Sequence, residues 1–368
     1  MSRPVNRVKT RMVRAGNLQI GGNAPVTIQS MTNTPAADLE GTTAQILALE
    51  AAGCEIVRMA VPTMEDAAVF PYAKARGSRA PLVADIHFDY KIALEALRQG
   101  ADKIRINPGN IGEAWKVEEV ARACKAAGVP IRIGVNSGSL DKKLLEKYGS
   151  PTPEALAESA LTQAEMLEKY GFSDIVLSIK SSTVTSMIAA CRIVARDSDY
   201  PIHLGVTEAG DSYSGLVKNA VGIGALLTDG IGDTIRVSLT ADPAEEIRAA
   251  KEILKAAGRW EKGGVNIISC PTCGRTAIDL IALQERCKTI LETLDTCGKT
   301  LNVAIMGCVV NGPGEAREAD YGVAGGKGCG LVFRKGMPAE KVPEENLAEA
   351  LVSMIRADLA AESGERHG

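Results

Sequence analysis

Two short stretches, far apart in the chain, hold the residue types best suited to chemistry. The first is Cys270-Pro-Thr-Cys273-Gly and the second is Gly307-Cys308-Val-Val-Asn-Gly-Pro-Gly-Glu315. Cys270 follows the apolar run 265–269, and Cys308 follows the run 301–306. Both therefore read as strand-end loops, where Pro and Gly turn the chain and thiolates can face one point. Two cysteines three apart, with a third from a neighbouring loop, suit a metal ion or an iron–sulfur cluster. Histidine does not supply the fourth ligand nearby, because the three histidines are His87, His203 and His367. The candidates are Cys329, in Gly-Lys-Gly-Cys-Gly, and Glu315. A carboxylate is a harder, weaker ligand for iron than a thiolate, so an iron held by Glu315 could release it and bind substrate. The rival reading of the same spacing is a structural zinc site.

A second constellation lies upstream. From residue 26 to about 255, eight β-branched runs alternate with Ala/Leu/Glu/Lys-rich helical patterns; the runs are 26–31, 56–60, 82–85, 103–107, 131–136, 174–178, 202–207 and 234–237. That count predicts an α/β fold, a (β/α)8 TIM-type barrel, in preference to an open doubly wound sheet, since no Gly-rich dinucleotide fingerprint follows the first run. Function in such barrels sits where strands end. Here those ends carry Arg58, Asp85, His87, Arg105, Asn107, Arg132, Asn136, Lys180, Thr207, Glu208, Arg236 and Ser238. The two-residue period puts Arg105 with Asn107, Arg132 with Asn136, and Arg236 with Ser238 on shared faces. Cations that converge on one barrel mouth need an anion to balance them, and arginine forks match phosphate oxygens. Asp85 and Glu208 are the candidates for proton work, because neighbouring cations keep a carboxylate ionised. His203, early in its run, reads as a core histidine.

The Gly-rich polar stretch 259–264 reads as a linker between the barrel, 1–258, and a small α+β domain, 265–368, which would hold the cluster. In that domain the pattern predicts a strand, a helix over 277–294, a second strand, a hairpin over 321–334 and a last helix over 344–361. Net charge is −3 and aromatic content 4%, which argue against nucleic acid or a membrane surface as partner. Of nine cysteines, those at 54, 124, 191 and 287 fall inside expected elements and read as reduced, buried small hydrophobes. The basic amino-terminal stretch, with Arg3, Arg7, Lys9, Arg11 and Arg14, lacks the apolar core of a signal peptide and reads as a solvated arm. The expected location is the cytoplasm.

Several linked motifs resemble one family. They are Val26-Thr-Ile-Gln-Ser-Met-Thr-Asn-Thr34, Pro81-Leu-Val-Ala-Asp-Ile-His-Phe-Asp-Tyr90, Arg105-Ile-Asn-Pro-Gly-Asn-Ile-Gly112 and Ile131-Arg-Ile-Gly-Val-Asn136. Gly205-Val-Thr-Glu-Ala-Gly210, Ile231-Gly-Asp-Thr-Ile-Arg-Val-Ser238 and the two cysteine loops complete the set. Together they resemble the bacterial two-domain 4-hydroxy-3-methylbut-2-enyl diphosphate synthases of the non-mevalonate isoprenoid pathway. The resemblance implies a [4Fe-4S] cluster on Cys270, Cys273, Cys308 and Glu315, with Cys329 left structural. It implies reductive ring opening of 2-C-methyl-D-erythritol 2,4-cyclodiphosphate, with electrons from flavodoxin or ferredoxin. It also implies a homodimer in which one subunit's cluster domain caps the other's barrel. The competing expectation is a zinc-stabilised, non-redox barrel enzyme acting on a phosphate ester.

Overall fold

The computed structural model describes residues 6–308, 314 and 316–365. The chain forms two compact units, Met1–Trp260 and Glu261–Gly368. The first opens with a hairpin of β1 (Met12–Ala15) and β2 (Leu18–Gly21). Eight parallel strands follow: β3 (Thr27–Met31), β4 (Ile56–Ala60), β5 (Leu82–Asp85), β6 (Lys103–Ile106), β7 (Ile131–Asn136), β8 (Ile175–Lys180), β9 (His203–Leu204) and β10 (Thr234–Ile235). Each pairs in parallel with its neighbour in sequence, β10 pairs with β3, and a Leu177–Ile202 bridge links β8 to the start of β9. The sheet is thus a nearly closed (β/α)8 barrel.

Helices cover the outside: α1 (Leu39–Ala51), α2 (Val69–Ala75), α3 (Tyr90–Arg98), α4 (Pro108–Ile111), α5 (Ala114–Ala127), α6 (Lys142–Tyr148), α7 (Pro153–Lys169), α8 (Val184–Asp197), α9 (Ser212–Thr228) and α10 (Pro243–Ala256). Many start on a side-chain cap, as Asp38, Asp89, Thr152, Asp211 and Asp242 each accept a hydrogen bond from a first-turn N–H. The apolar outward faces of the strands pack on these helices in one large core. That packing leaves the inward faces free to differ from layer to layer. Among the described residues, no helix is long and apolar enough to cross a membrane.

The amino-terminal stretch is not a solvated arm. Arg7 pairs with Asp233 at 3.0 Å, and Arg11 pairs with Asp199 and Glu168 while stacking on Tyr200. These contacts dock the hairpin, whose Val13, Ala15 and Ile20 pack with Ile56, Val83 and Val176 from the strands. The hairpin therefore floors the barrel. Arg7 and Arg11 answer acidic partners on the barrel, which charge counting along the chain alone does not show. Arg3 lies outside the described residues.

The second unit is a five-stranded mixed sheet in the order β11 (Gly264–Ser269), β12 (Thr300–Met306), β13 (Tyr321–Gly326), β14 (Cys329–Arg334) and β15 (Met337–Pro343). β11, β12 and β13 run parallel, and the last two strands return antiparallel. Helices α11 (Leu280–Leu291) and α12 (Leu347–Glu365) contribute to one core against this sheet. β15 escapes the sequence reading because it is an exposed edge with Pro338 and Pro343 and no apolar alternation. Cys54, Cys124, Cys191 and Cys287 are buried and free, as expected.

If the hairpin floor holds the barrel closed, Ile20→Ala should lower unfolding free energy by about 2–5 kcal/mol. Urea unfolding followed by circular dichroism measures it, and a loss below about 1 kcal/mol would mean the floor is dispensable.

Candidate active site and cluster loops

The carboxyl ends of the barrel strands surround a cavity of about 370 Å³. Inward positions recur at every second residue, so each strand delivers one or two side chains to it. β3 brings Met31, β4 brings Arg58, and β5 with its following loop brings Asp85 and His87. β6 brings Arg105, β7 brings Arg132, Gly134 and Asn136, and β8 brings Ser178 and Lys180. The segments after β9 and β10 bring Thr207, Glu208, Arg236 and Ser238. Asn107 does not line this cavity. Its Oδ1 accepts from the Gly109 N–H at 3.1 Å, and the buried side chain caps α4. Glu315 lies outside the described residues.

Asp85 is the pivot of the cations. Its Oδ1 lies 3.1 Å from Arg105 Nη1, and its Oδ2 lies 3.6 Å from Arg58 Nε and 3.5 Å from His87 Nε2. Burial alone would raise its pKa, but Arg58, the His87 hydrogen bond and Arg105 together hold it well below the ordinary carboxylate range. His87 is half-exposed and faces the cavity, so it is not a core histidine. Arg236 has its own buried partner, Glu246 on α10, at 3.2 Å. Glu246 also accepts from Ser30 Oγ at 2.9 Å and from the Leu239 N–H at 3.1 Å. Sequence reasoning missed Glu246 because it sits in a Glu-rich first helical turn that looks solvated. It missed Met31 because a thioether carries no charge signal. Arg58 donates to Met31 Sδ from Nε at 3.1 Å and from Nη2 at 2.8 Å, and that sulfur is a weak acceptor.

Arginine outnumbers its partners here. Arg132 is 1% exposed, and its Nε and Nη1 have no protein acceptor. The Nε of Arg105 is likewise unpartnered. Burial, reinforced by Arg58 and Arg105, pushes the Arg132 guanidinium well below its ordinary pKa. Burial also lowers Arg58 to about 10, against the favourable pull of Asp85. Lys180 is lowered by burial and then by Arg236, Arg58 and Arg132. The site as folded disfavours its own positive charge, and an anion would relieve that.

Close approach is built into the backbone. A Cβ at Gly134 would stand 2.7 Å from Arg105 Nε, and one at Gly205 would stand 2.9 Å from Lys180 Nζ. Glycine at these positions lets the two cations cross the barrel interior. Glu208 holds a left-handed conformation, φ 52°, unusual for a side chain of its size. Such strain marks a residue whose placement the surroundings dictate.

In the second unit, β11 and β12 pair in parallel up to Ser269–Ile305, so the Cys270 and Cys308 loops leave the sheet side by side. The Gly307 N–H donates to Cys270 Sγ at 3.3 Å, and the Ala277 N–H donates to the Gly307 carbonyl at 3.0 Å. A Cβ at Gly307 would stand 2.8 Å from Thr276 Cγ2, so the loops lie against each other at this point. Cys273 is exposed, and backbone and side-chain hydrogen bonds from Arg275 draw its thiol below the ordinary range. An accessible Cys273 with Cys270 and Cys308 in adjoining loops fits an iron–sulfur cluster. Among the described residues, no three His, Cys, Asp or Glu side chains gather tightly enough to hold a single ion. Cys329 opens β14 at the same sheet end but two strands from β12, about 10 Å away by interstrand spacing.

The comparisons agree with this geometry. Residues 10–251 match the GcpE TIM-barrel domain, and residues 266–357 match the GcpE protein C-terminal domain. A relative from Clostridium perfringens (strain 13 / Type A) is 58% identical over 351 residues, covering 95% of this chain and 99% of its own. One from Geobacter sulfurreducens is 55% identical over 354 residues, covering 96% and 99%. Both are named 4-hydroxy-3-methylbut-2-en-1-yl diphosphate synthase (flavodoxin). Among solved structures, the dihydropteroate synthase of Thermus thermophilus matches with a TM-score of 0.50 at 16% identity, covering 68% of this chain and 98% of its own. That likeness shows the barrel fold alone. By its two family matches and its near full-length relatives, the chain belongs to the GcpE family of 4-hydroxy-3-methylbut-2-en-1-yl diphosphate synthases.

Proposed function

We propose that this enzyme opens the ring of 2-C-methyl-D-erythritol 2,4-cyclodiphosphate reductively, with loss of water, to give 4-hydroxy-3-methylbut-2-enyl diphosphate. The observation that carries the substrate class is the cluster of Arg58, Arg105, Arg132, Lys180 and Arg236 around one cavity, with guanidinium donors left unpartnered inside it. A cyclic diphosphate presents several oxyanions to several forks at once. Asn136, Thr207 and Ser238 add neutral donors at the rim. Asn107 supports the α4 turn from outside the cavity, so its part is indirect.

Cys270, Cys273, Cys308 and Glu315 would hold a [4Fe-4S] cluster. When bound, that cluster supplies electrons one at a time and a Lewis-acidic iron. The remaining work belongs to the barrel. Asp85 is held ionised by three neighbours, so it orients Arg58 and Arg105 rather than giving a proton. Glu208 faces the cavity on a strained backbone, and we assign it the carboxyl that hydrogen-bonds or protonates the departing hydroxyl. The electron donor is a flavodoxin, the partner printed in the relatives' names, with ferredoxin as the alternative. The buried, reduced Cys54, Cys124, Cys191 and Cys287 accord with a reducing, cytoplasmic setting. Among the described residues no cysteine lines the barrel cavity, and we assign the redox group to the cluster-bearing unit. We assign that unit to the partner of a homodimer.

The experiment that tests the assignment is anaerobic purification with iron and sulfide analysis, then assay of the cyclodiphosphate with a chemical reductant. About four iron and four sulfide per chain with turnover are expected. A colourless protein with stoichiometric zinc would overturn it in favour of a non-redox phosphate-ester enzyme.

Gly134→Ala should displace the Arg105 guanidinium and lower kcat/KM by about tenfold to a hundredfold, the worth of a lost charged hydrogen bond. Iron content should stay unchanged. An unaltered ratio in steady-state assays would remove Arg105 from the substrate site. The shared site is checked by mixing. Chains carrying Arg132→Met and chains carrying Cys270→Ser should each be inactive alone. Randomly mixed dimers should regain about a quarter of wild-type activity, because half are heterodimers with one intact site. No recovery in dimers shown to be mixed would mean each chain serves its own barrel.

A further inference from the structure

Beneath the cavity the barrel interior changes character. Lys103 lies two residues before Arg105 on the same face of β6, and Gln29 lies two before Met31 on β3. Both therefore point inward one layer deeper than the cavity wall. His203 on β9 is buried in the same interior, and Arg132 on β7, the register partner of Arg105, reaches from it into the cavity wall. All four side chains are at most 1% exposed. None is fully satisfied: Lys103 Nζ, both Gln29 amide atoms, Arg132 Nε and Nη1, and His203 Nε2 have no protein partner. Val83 and Val176, the register partners of Lys103 and Arg132, pack on the hairpin that floors the barrel.

Lys103 is the anomaly among these side chains. An interior ammonium normally has a carboxylate beside it. The charged groups that act on Lys103 are Arg132 on β7 and Arg58 on β4, both positive. His203 on β9 is the further titratable group it influences. On β5 its register partner is Val83, and the hairpin offers Val13, Ala15 and Ile20. Asp85 is engaged by Arg58, Arg105 and His87. The established reaction gives Lys103 no role, because it does not line the cavity.

We propose that Lys103 is a charge-compensating residue that takes up a proton from solvent through the cavity when an oxyanion occupies the arginine cluster, and releases it when the ligand leaves. The step is a protonation of the neutral amine to the ammonium, with no electron transfer. Burial, followed by Arg132 and Arg58, holds the empty-site ammonium far below its ordinary pKa of 10.5. A bound diphosphate cancels the fields of those two arginines, and the unpartnered Gln29 oxygen is an acceptor among the neighbouring buried side chains. The liganded state then holds more protons than the free state, so affinity rises as pH falls through the window between the two pKa values. The proposal rests on the reading of the cavity as an oxyanion site. Lys103 acts on the ligand through Arg132 and Arg58, so it is a positioning residue.

The test is calorimetric titration of the cluster-loaded enzyme with inorganic pyrophosphate, at one pH in buffers of different ionisation enthalpy. The buffer dependence reads protons taken up per site. Lys180 and pyrophosphate itself contribute equally in every protein compared. Lys103→Gln and Lys103→Met should take up about one proton fewer than wild type. Equal counts would overturn the proposal while leaving the oxyanion site intact. Failure of pyrophosphate to bind at all would overturn both. Should neither variant fold, NMR of 13C-labelled lysine in the wild-type enzyme, with the Lys180 signal assigned by its loss in Lys180→Gln, reads the same group directly. One neutral lysine signal other than that of Lys180 should convert to the ammonium position on adding pyrophosphate, and its absence would sink the idea.

Discussion

The constraint on which the site depends is positive charge brought together without enough negative charge to balance it. Five basic side chains line one cavity, while Asp85 and Glu208 are its acidic lining residues and Glu246 braces Arg236 from behind. A buried cation without a partner is among the more expensive things a fold can contain. The barrel tolerates the arrangement because its outward faces and helices form one continuous apolar core, and the hairpin closes the opposite end. Stability gathered elsewhere thus maintains an interior that favours an anion before any arrives.

Geometry and electrostatics are not separable here. Asp85 could hold only one arginine if the chain around it were bulkier. With Gly134 across from it, Arg105 crosses the barrel and shares the carboxylate with Arg58. Gly205 does the same for Lys180. The cations are consequently preorganised, and little side-chain freedom remains to be lost when a multivalent ligand binds. Arg132 keeps two donors without a protein acceptor.

The sequence made one half of this visible. Polar residues ending eight β-branched runs, two residues apart, showed which side chains converge, because strand period alone decides the face. It could not show partners supplied by other elements. Glu246 hides in a helix start rich in acids, and Arg7 and Arg11 look like a free basic tail until Asp233 and Asp199 meet them. Asn107 shared a face with Arg105 in the pattern, but the strand ends at Ile106 and the asparagine turns to cap α4. His203 reads as a core histidine and nothing in the pattern singles out Lys103, since isolation from partners is a property of three dimensions. β15 has no periodic signal because an exposed edge needs none.

The two units divide the chemistry in a way their physics favours. Orienting a diphosphate calls for rigid cations at fixed strand ends, and a closed barrel provides them. Thiolate ligation calls for backbone N–H groups near sulfur and for loops that turn sharply, as at Gly307 and Cys270. Crowding a set of anionic thiolates among the strand-end arginines would neutralise the field that selects the substrate. With the thiols in a separate unit, the cavity keeps its charge for the ligand.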